Sequence, residues 1–227
     1  MSQKILRTLA EQIEPKHTAV IVIDPQKDYC ATDGALARIL GKDVSRLQEA
    51  VKRLNPFIQK TRQVGLPVIW VRTMAVDDKM RPSQKAIKGE GDEVVIVRED
   101  GDGKSWYSEV IKPLSSEHII TKYNYDAFEN TELDLLLRSK GIETLLFIGV
   151  TANVCVETSA RHAFIKGYYV VLVSDCTDSP TRQEYESAVF NIENYFGKVA
   201  TSNEVIKIWE GQLVSAKANN SGGKSEC

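Results

Sequence analysis

The sequence predicts a three-layer, Rossmann-like α/β fold in which a six-stranded parallel sheet is flanked by helices on both faces. Three observations carry this expectation. Short apolar, β-branched runs such as TAVIVID (18–24), GLPVIWVR (65–72) and TLLFIGV (144–150) recur along the chain, and runs without polar alternation suit strands buried on both faces. Most of the stretches between them place apolar residues at helical spacing. No composition break or internal repeat marks a second unit, so residues 1–212 read as one domain. The polar, low-complexity residues 213–227 read as a disordered tail.

Taken in order, residues 18–24 form the first strand, followed by the turn-rich PQKDYCATDGAL. Val44, Leu47, Val51, Leu54 and Ile58 then share one helix face, with Pro56 placed to kink or break that helix. Residues 65–72 are the second strand. Residues 73–117 form a polar connection of a length usually tied to function. It is expected to cross the sheet face with a short helix over residues 106–111. EHIITK (117–122) is the third strand. Thr131 with Asp134 resembles a capping box opening the next helix, with Gly141 closing it. TLLFIGV and YYVVLVSD are the fourth and fifth strands, joined by a helix from near Cys155 to Gly167. A Thr181-x-x-Glu184 capping box opens a further helix, and KVAT and EVIKIWEGQ close the fold as strand and helix.

The 227 residues are 42% hydrophobic and 26% charged, enough to bury a core without disulfides or metals. A net charge of -2 with pI near 6.0 favours neither nucleic acid nor an anionic membrane. The first twenty residues lack an apolar core and a small-residue cleavage site, so no signal peptide is expected. No run reaches the roughly 18 to 20 apolar residues of a membrane span. Cys30, Cys155, Cys176 and Cys227 form no C-x-x-C pair, which points to reduced thiols and a cytoplasmic setting. His17, His118 and His162 are scattered, which argues against a zinc site.

In open parallel sheets, ligands bind outside the carboxyl ends of the strands. There stand Asp24 after the first strand, Lys122 after the third and Cys155 in the turn after the fourth. Singly, each has an ordinary explanation: a turn former, a solvated lysine, a buried thiol. Together they suit one chemistry. A free thiol titrates at about 8.5, and a helix start and a nearby ammonium both favour its thiolate. Asp24 is placed to take the thiol proton and return it to a leaving amine, and amides at the helix start are placed to hold an oxyanion. This describes acyl transfer through a thioester-type intermediate, with no histidine required.

The segments IDPQKDY (23–29), TKYNYDAFENTELD (121–134) and GVTANVCVETSARHAF (149–164) resemble the three signature blocks of the isochorismatase-like cysteine hydrolases, over roughly residues 15 to 210. The resemblance implies a catalytic triad of Asp24, Lys122 and Cys155. It also implies a cis peptide at Val150–Thr151 and an oxyanion hole from the amides of Thr151 and Cys155. Nicotinamidase-like members carry an Asp-x-His-x-x-His metal motif after the second strand. Here WVRTMAVDDKMRP (70–82) has no histidine, so neither a metal nor another cofactor is expected. True isochorismatases, which hydrolyse a vinyl ether, generally lack the nucleophilic cysteine, so Cys155 argues for C–N hydrolysis. That ether hydrolysis, or a non-catalytic binding role on the same fold, are the alternatives.

TANVCVE, GKSWY (103–107) and FNIENYFGKV (190–199) are similar to segments of the ureidoacrylate and biuret amidohydrolase branch. The implied partner is a small ureido or carbamoyl molecule, and members of the family often form dimers or tetramers. Asn153 is a candidate for binding a ureido or carboxylate group, or else a turn residue. Tyr29, Trp70, Tyr123 and Tyr125 are candidates for lining the pocket, and Arg72 for pairing with a substrate carboxylate. Asp126 departs from the family, which usually has a small hydroxyl residue there. It stands either to weaken the pull of Lys122 on Cys155 or to bind a substrate amino group. Cys30 and Cys176 read as packing and Cys227 as a floppy terminal thiol.

Overall fold

The computed structural model describes residues 4–89, 96–108 and 111–222. Six strands form one all-parallel sheet: β1 (Thr18–Ile23), β2 (Val68–Thr73), β3 (His118–Lys122), β4 (Thr144–Val150), β5 (Tyr169–Asp178) and β6 (Lys198–Ala200). The helices are α1 (Leu9–Gln12), α2 (Lys27–Cys30), α3 (Ala35–Arg38), α4 (Ser45–Val64), α5 (Pro82–Lys88), α6 (Leu133–Ser139), α7 (Glu157–Ile165), α8 (Arg182–Asn191) and α9 (Ser202–Gly222).

The strand order is β3-β2-β1-β4-β5-β6. The chain winds outward one way from β1 and the other way from β4, so the crevice opens between their carboxyl ends. Strand residues alternate between two cores. Val20 and Val22 face α4 and α9, packing with Leu47, Leu54, Phe57 and Trp209. Ala19, Ile21 and Ile23 face α6 and α7, packing with Leu133, Leu137 and Ala160. Each buried aliphatic side chain contributes about 1.5–3 kcal/mol of transfer free energy.

At the crevice, β4 and β1 come unusually close. Gly149 pairs with Ile23 and takes φ 113°. A Cβ there would sit 2.0 Å from the Ile23 carbonyl oxygen, so only glycine fits. The register with β5 also slips at this point: Phe147 pairs with Leu172, but Gly149 pairs with Thr177. Thr177 Oγ1 donates to Gly149 O at 2.7 Å. The end of β4 is thereby turned out of the regular ladder, just ahead of Thr151.

Four local expectations need correction. α4 runs unbroken through Pro56, because the flanking Leu54, Phe57 and Ile58 are buried against the sheet and hold it in line. Of the helix expected over 106–111, residues 109 and 110 lie outside the described residues, and residues 106–108 are not helical: Tyr107 N donates to Pro25 O at 2.9 Å and Trp106 bridges to Gln26. Their backbone groups are thus committed across the chain rather than locally. α6 starts at Leu133 without a side-chain cap. Thr131 Oγ1 donates to Ala127 O instead, and Asp134 accepts from Tyr168 and Lys166.

The fourth concerns the tail. Residues 213–222, expected to be disordered, continue α9. Its preceding turns are anchored, with Trp209 Nε1 donating to Ile13 O and Gln212 Nε2 to Ala10 O, and an anchored helix propagates cheaply. Residues 223–227, with Cys227, lie outside the described residues. The Thr181–Glu184 capping box does form, opening α8.

Candidate active site

Asp24 follows the last residue of β1 at φ 48°, a left-handed conformation costing a non-glycine residue about 1–2 kcal/mol. Its N–H is held by Val71 O at 3.0 Å, which fixes the side chain inside the crevice, wholly buried. Lys122 ends β3, two strands away, and its long stem spans the gap. Lys122 Nζ lies 2.8 Å from Asp24 Oδ2 and 3.4 Å from Cys155 Sγ. It also donates to Asn124 O at 2.9 Å and to Thr73 Oγ1. Thr73, the last residue of β2, passes its own hydroxyl hydrogen to Asp24 Oδ2 at 2.9 Å. Asp24 Oδ1 is buried with no hydrogen-bond partner, leaving one carboxylate oxygen as an open acceptor.

Cys155 is 5% exposed. It does not open an α-helix, as expected, but sits in a π-turn, Ala152–Val156, that leads into α7. The Val150–Thr151 peptide before it is cis. Thr151 O accepts from Val154 N at 3.3 Å and Val156 N at 3.2 Å, the amides on either side of Cys155 N. The surroundings of Cys155 run against the preformed thiolate that was expected. Burial, with the Asp24 carboxylate adding to it, pushes the thiol up to about 12 against the pull of Lys122. This direction favours a protonated thiol beside the Asp24 carboxylate. Burial pulls Lys122 down, but the Asp24 carboxylate and the hydrogen bond to Cys155 Sγ outweigh it and raise its pKa.

A pocket of about 280 Å³ is lined by Tyr29, Ala75, Lys88, Val97 and Tyr125 among others. Burial, with the Asp24 charge nearby, pushes the Tyr29 phenol well above its usual value. Tyr29 and Tyr125 therefore stand where a pocket lining was expected. A larger groove of about 500 Å³ lies at the opposite end of the sheet, against Tyr169, Val170 and Lys198.

Other expected binding residues lie elsewhere. Trp70 is wholly buried in the core under α4, edge-on to Trp106, with Nε1 donating to Glu117 Oε2 at 2.8 Å. Its place in a strand gave no sign of which face it takes. Arg72 Nε donates to Thr121 Oγ1 at 3.0 Å, on the same sheet face as Trp70 and outside the pocket lining. Tyr123 is half-buried, also outside that lining, and its carbonyl accepts from Gln84 Nε2 at 3.5 Å. Asn153 Oδ1 accepts from Ser179 Oγ at 2.7 Å, a contact with the residue that follows β5. Asp126 faces neither Lys122 nor the pocket: it pairs with His162 Nδ1 and accepts from Phe128 N at 2.9 Å. Cys30 and Cys176 are buried in the core.

Sequence reasoning missed Thr73 and Lys88. Thr73 was within reach, since it stands at a strand end like the others. Lys88 carried no signal, because α5 lies inside the long connection where nothing in the sequence fixes a path.

A thiol, an ammonium and a carboxylate gathered at the switch point of a doubly wound sheet define an α/β protein whose crevice is built around a buried cysteine. The chain belongs to the isochorismatase family, whose domain description, Isochorismatase domain, matches residues 18–204. Ureidoacrylate amidohydrolase RutB of Enterobacter sp. (strain 638) is 32% identical over 200 residues, covering 82% of this chain and 86% of that protein. A cysteine hydrolase from Pseudomonas syringae pv. phaseolicola 1448A superposes with a TM-score of 0.78 at 28% identity, over 93% of this chain and 99% of that one. The fold is also shared, at a TM-score of 0.65 and 24% identity, by N-carbamoylsarcosine amidase from Thermoplasma acidophilum, over 82% of this chain and 96% of that one.

Proposed function

We propose that the protein is a cysteine-dependent amidohydrolase that cleaves the C–N bond of a small ureido, carbamoyl or amide compound and releases ammonia. The observation that carries this reading is the position of Lys122 Nζ, shared between Asp24 Oδ2 at 2.8 Å and Cys155 Sγ at 3.4 Å in a buried crevice. The likeness to RutB proteins, named for ureidoacrylate, supports the C–N bond as the target.

The steps follow from the neutral thiol. Cys155 gives its proton to Asp24 through the open Oδ1 as sulfur attacks the carbonyl carbon and the C–S bond forms. Lys122 balances the charge that moves from thiol to oxyanion, and the amides of Thr151 and Cys155 hold the oxyanion. The tetrahedral centre collapses, the C–N bond breaks, and the proton on Asp24 goes to the departing nitrogen as ammonia. Water then gives a proton to Asp24 and attacks the thioester-type carbonyl. The C–S bond breaks, and the proton returns to sulfur.

The same reading takes residues 1–212 as one catalytic domain that assembles as a dimer or tetramer, for which the exposed Ile165, Phe190 and Tyr195 offer apolar surface. It places the protein in the cytoplasm, where buried free thiols such as Cys30, Cys155 and Cys176 stay reduced. Among the described residues no helix is long and apolar enough to cross a membrane.

The test is ammonia release from ureidoacrylate, 3-ureidopropionate and biuret by the wild-type protein and by Cys155→Ala. Release from at least one compound, abolished by the substitution, is expected. Release unchanged in Cys155→Ala would sink the reading.

A further inference from the structure

Cys155 and Lys122 reach the crevice on different segments, one in the turn into α7 and the other at the end of β3. Their separation depends on what joins those segments. The loop after β3 does so residue by residue. Asn124 O accepts from Lys122 Nζ at 2.9 Å. Tyr125 lines the pocket. Asp126 Oδ2 is hydrogen-bonded to His162 Nδ1 on α7. Ala127 N donates to Ser159 Oγ at 3.0 Å, and that buried hydroxyl donates to Cys155 O at 2.7 Å. The loop therefore holds the ammonium at one end and the turn of the cysteine at the other.

Asp126 is the joint of this bracket. Its N–H closes on Asn124 Oδ1 at 2.7 Å, and its own Oδ1 accepts from Phe128 N at 2.9 Å. These are side-chain turns of the kind Asn and Asp form with nearby backbone. They fix the carboxylate to its own loop, and Oδ2 then fixes the loop to α7. Ser159 and His162 stand three residues apart, on one face of that helix, so both tethers draw the loop against the same surface. The Ser159 tether grips Ala127, further along the chain from Asn124, and the Asp126 tether lies nearer the residue that holds Lys122.

We propose that Asp126 and His162 are positioning residues: their bond latches the 124–128 loop onto α7, and so holds Asn124 O on Lys122 and Tyr125 in the pocket wall. The effect on turnover rests on the amidohydrolase reading, whereas the latch does not. A packing role for His162 makes a competing claim, because its ring lies against Phe128 with centroids 5.4 Å apart. The two roles use different atoms. Packing needs a ring, and the latch needs a donor at the δ position.

Two substitutions separate them. His162→Phe keeps a ring and removes the donor; His162→Asn removes the ring and keeps an amide nitrogen at the δ position. The site is part-exposed, with side chains 30% and 15% accessible at His162 and Asp126, and thermal melts confirm that each variant is folded. Native-state hydrogen exchange is read by mass spectrometry on peptides covering residues 123–131, and kcat/KM is measured with whichever of ureidoacrylate, 3-ureidopropionate and biuret is cleaved fastest. In His162→Phe, loop exchange is expected to quicken about tenfold and kcat/KM to fall about 10- to 100-fold, the effect of a small misplacement at a reacting centre. In His162→Asn both are expected to stay within about threefold of wild type, a margin below the worth of one hydrogen bond. Loop exchange unchanged in His162→Phe, an Asn variant as defective as the Phe one, or a loosened loop with unchanged kcat/KM overturns the proposal. A wild-type protein that releases no ammonia while the variants show the expected exchange refutes the amidohydrolase reading and leaves the latch standing.

Discussion

The ammonium of Lys122 stands 2.8 Å from the carboxylate of Asp24, and neither side chain touches solvent. A buried pair of this kind contributes little net stability, but breaking it strands a charge, at a cost of about 3–5 kcal/mol. Lys122→Met is therefore expected to lower unfolding free energy by that amount in urea titrations. The double variant Asp24→Asn/Lys122→Met, which leaves no charge behind, is expected to recover most of the loss. Ammonia release should be down at least about a hundredfold in both. A double variant as unstable as the single one would show that the pair is needed for the fold itself.

The raised Cys155 thiol sets a pH signature. With the thiol raised to about 12, the reactive thiolate fraction grows about tenfold per pH unit across the neutral range. Iodoacetamide labelling of Cys155, followed by intact mass, is expected to quicken about 100-fold between pH 7 and pH 9. A rate already level at pH 7 would mean a preformed thiolate and contradict the mechanism.

Glu117 makes a separate, structural prediction. Its carboxylate takes both Nε and Nη2 of Arg62 at 2.7 and 2.8 Å, Trp70 Nε1 at 2.8 Å and Leu114 N at 2.9 Å. Burial raises its pKa, but these donors outweigh burial and hold it below the ordinary 4.5. A depressed folded value stabilises above the unfolded one, and that stability is lost as pH falls through the folded value. Glu117→Gln is expected to cost about 1.5–3 kcal/mol at pH 7. The gap from wild type should close in acid, and a gap independent of pH would refute this account.

Gly103 is pressed against Asp28, which holds Val97 N at 2.6 Å and Ala35 N at 3.1 Å. A Cβ on Gly103 would lie 1.9 Å from the Asp28 carboxyl carbon. Gly103→Ala must push the loop off α2 and move Val97, a pocket residue. It is expected to cost about 1–3 kcal/mol and to raise KM more than it lowers kcat. Unchanged kinetics and melting temperature would show that the loop is free to shift.

The sheet was legible because its strands are apolar on both faces, so TAVIVID and TLLFIGV admit little else. The gathering of Asp24, Lys122 and Cys155 followed from one rule about strand ends, which also covers Thr73. What escaped was decided by contacts distant in sequence. Nothing local tells that Trp70 turns to Glu117, that Asp126 finds His162, or that Trp106 and Tyr107 pair with Gln26 and Pro25 instead of coiling. Composition favours a thiolate beside a lysine, whereas the depth of burial raises the thiol pKa.

The complete burial of Lys122 makes it a reporter as well as a charge. Amine-reactive reagents reach lysines on the surface at once, but they can modify this one only when the crevice opens. The rate at which a native sample gains that last acyl group is a clock for the opening of the sheet at its switch point, readable by mass spectrometry without any engineered probe.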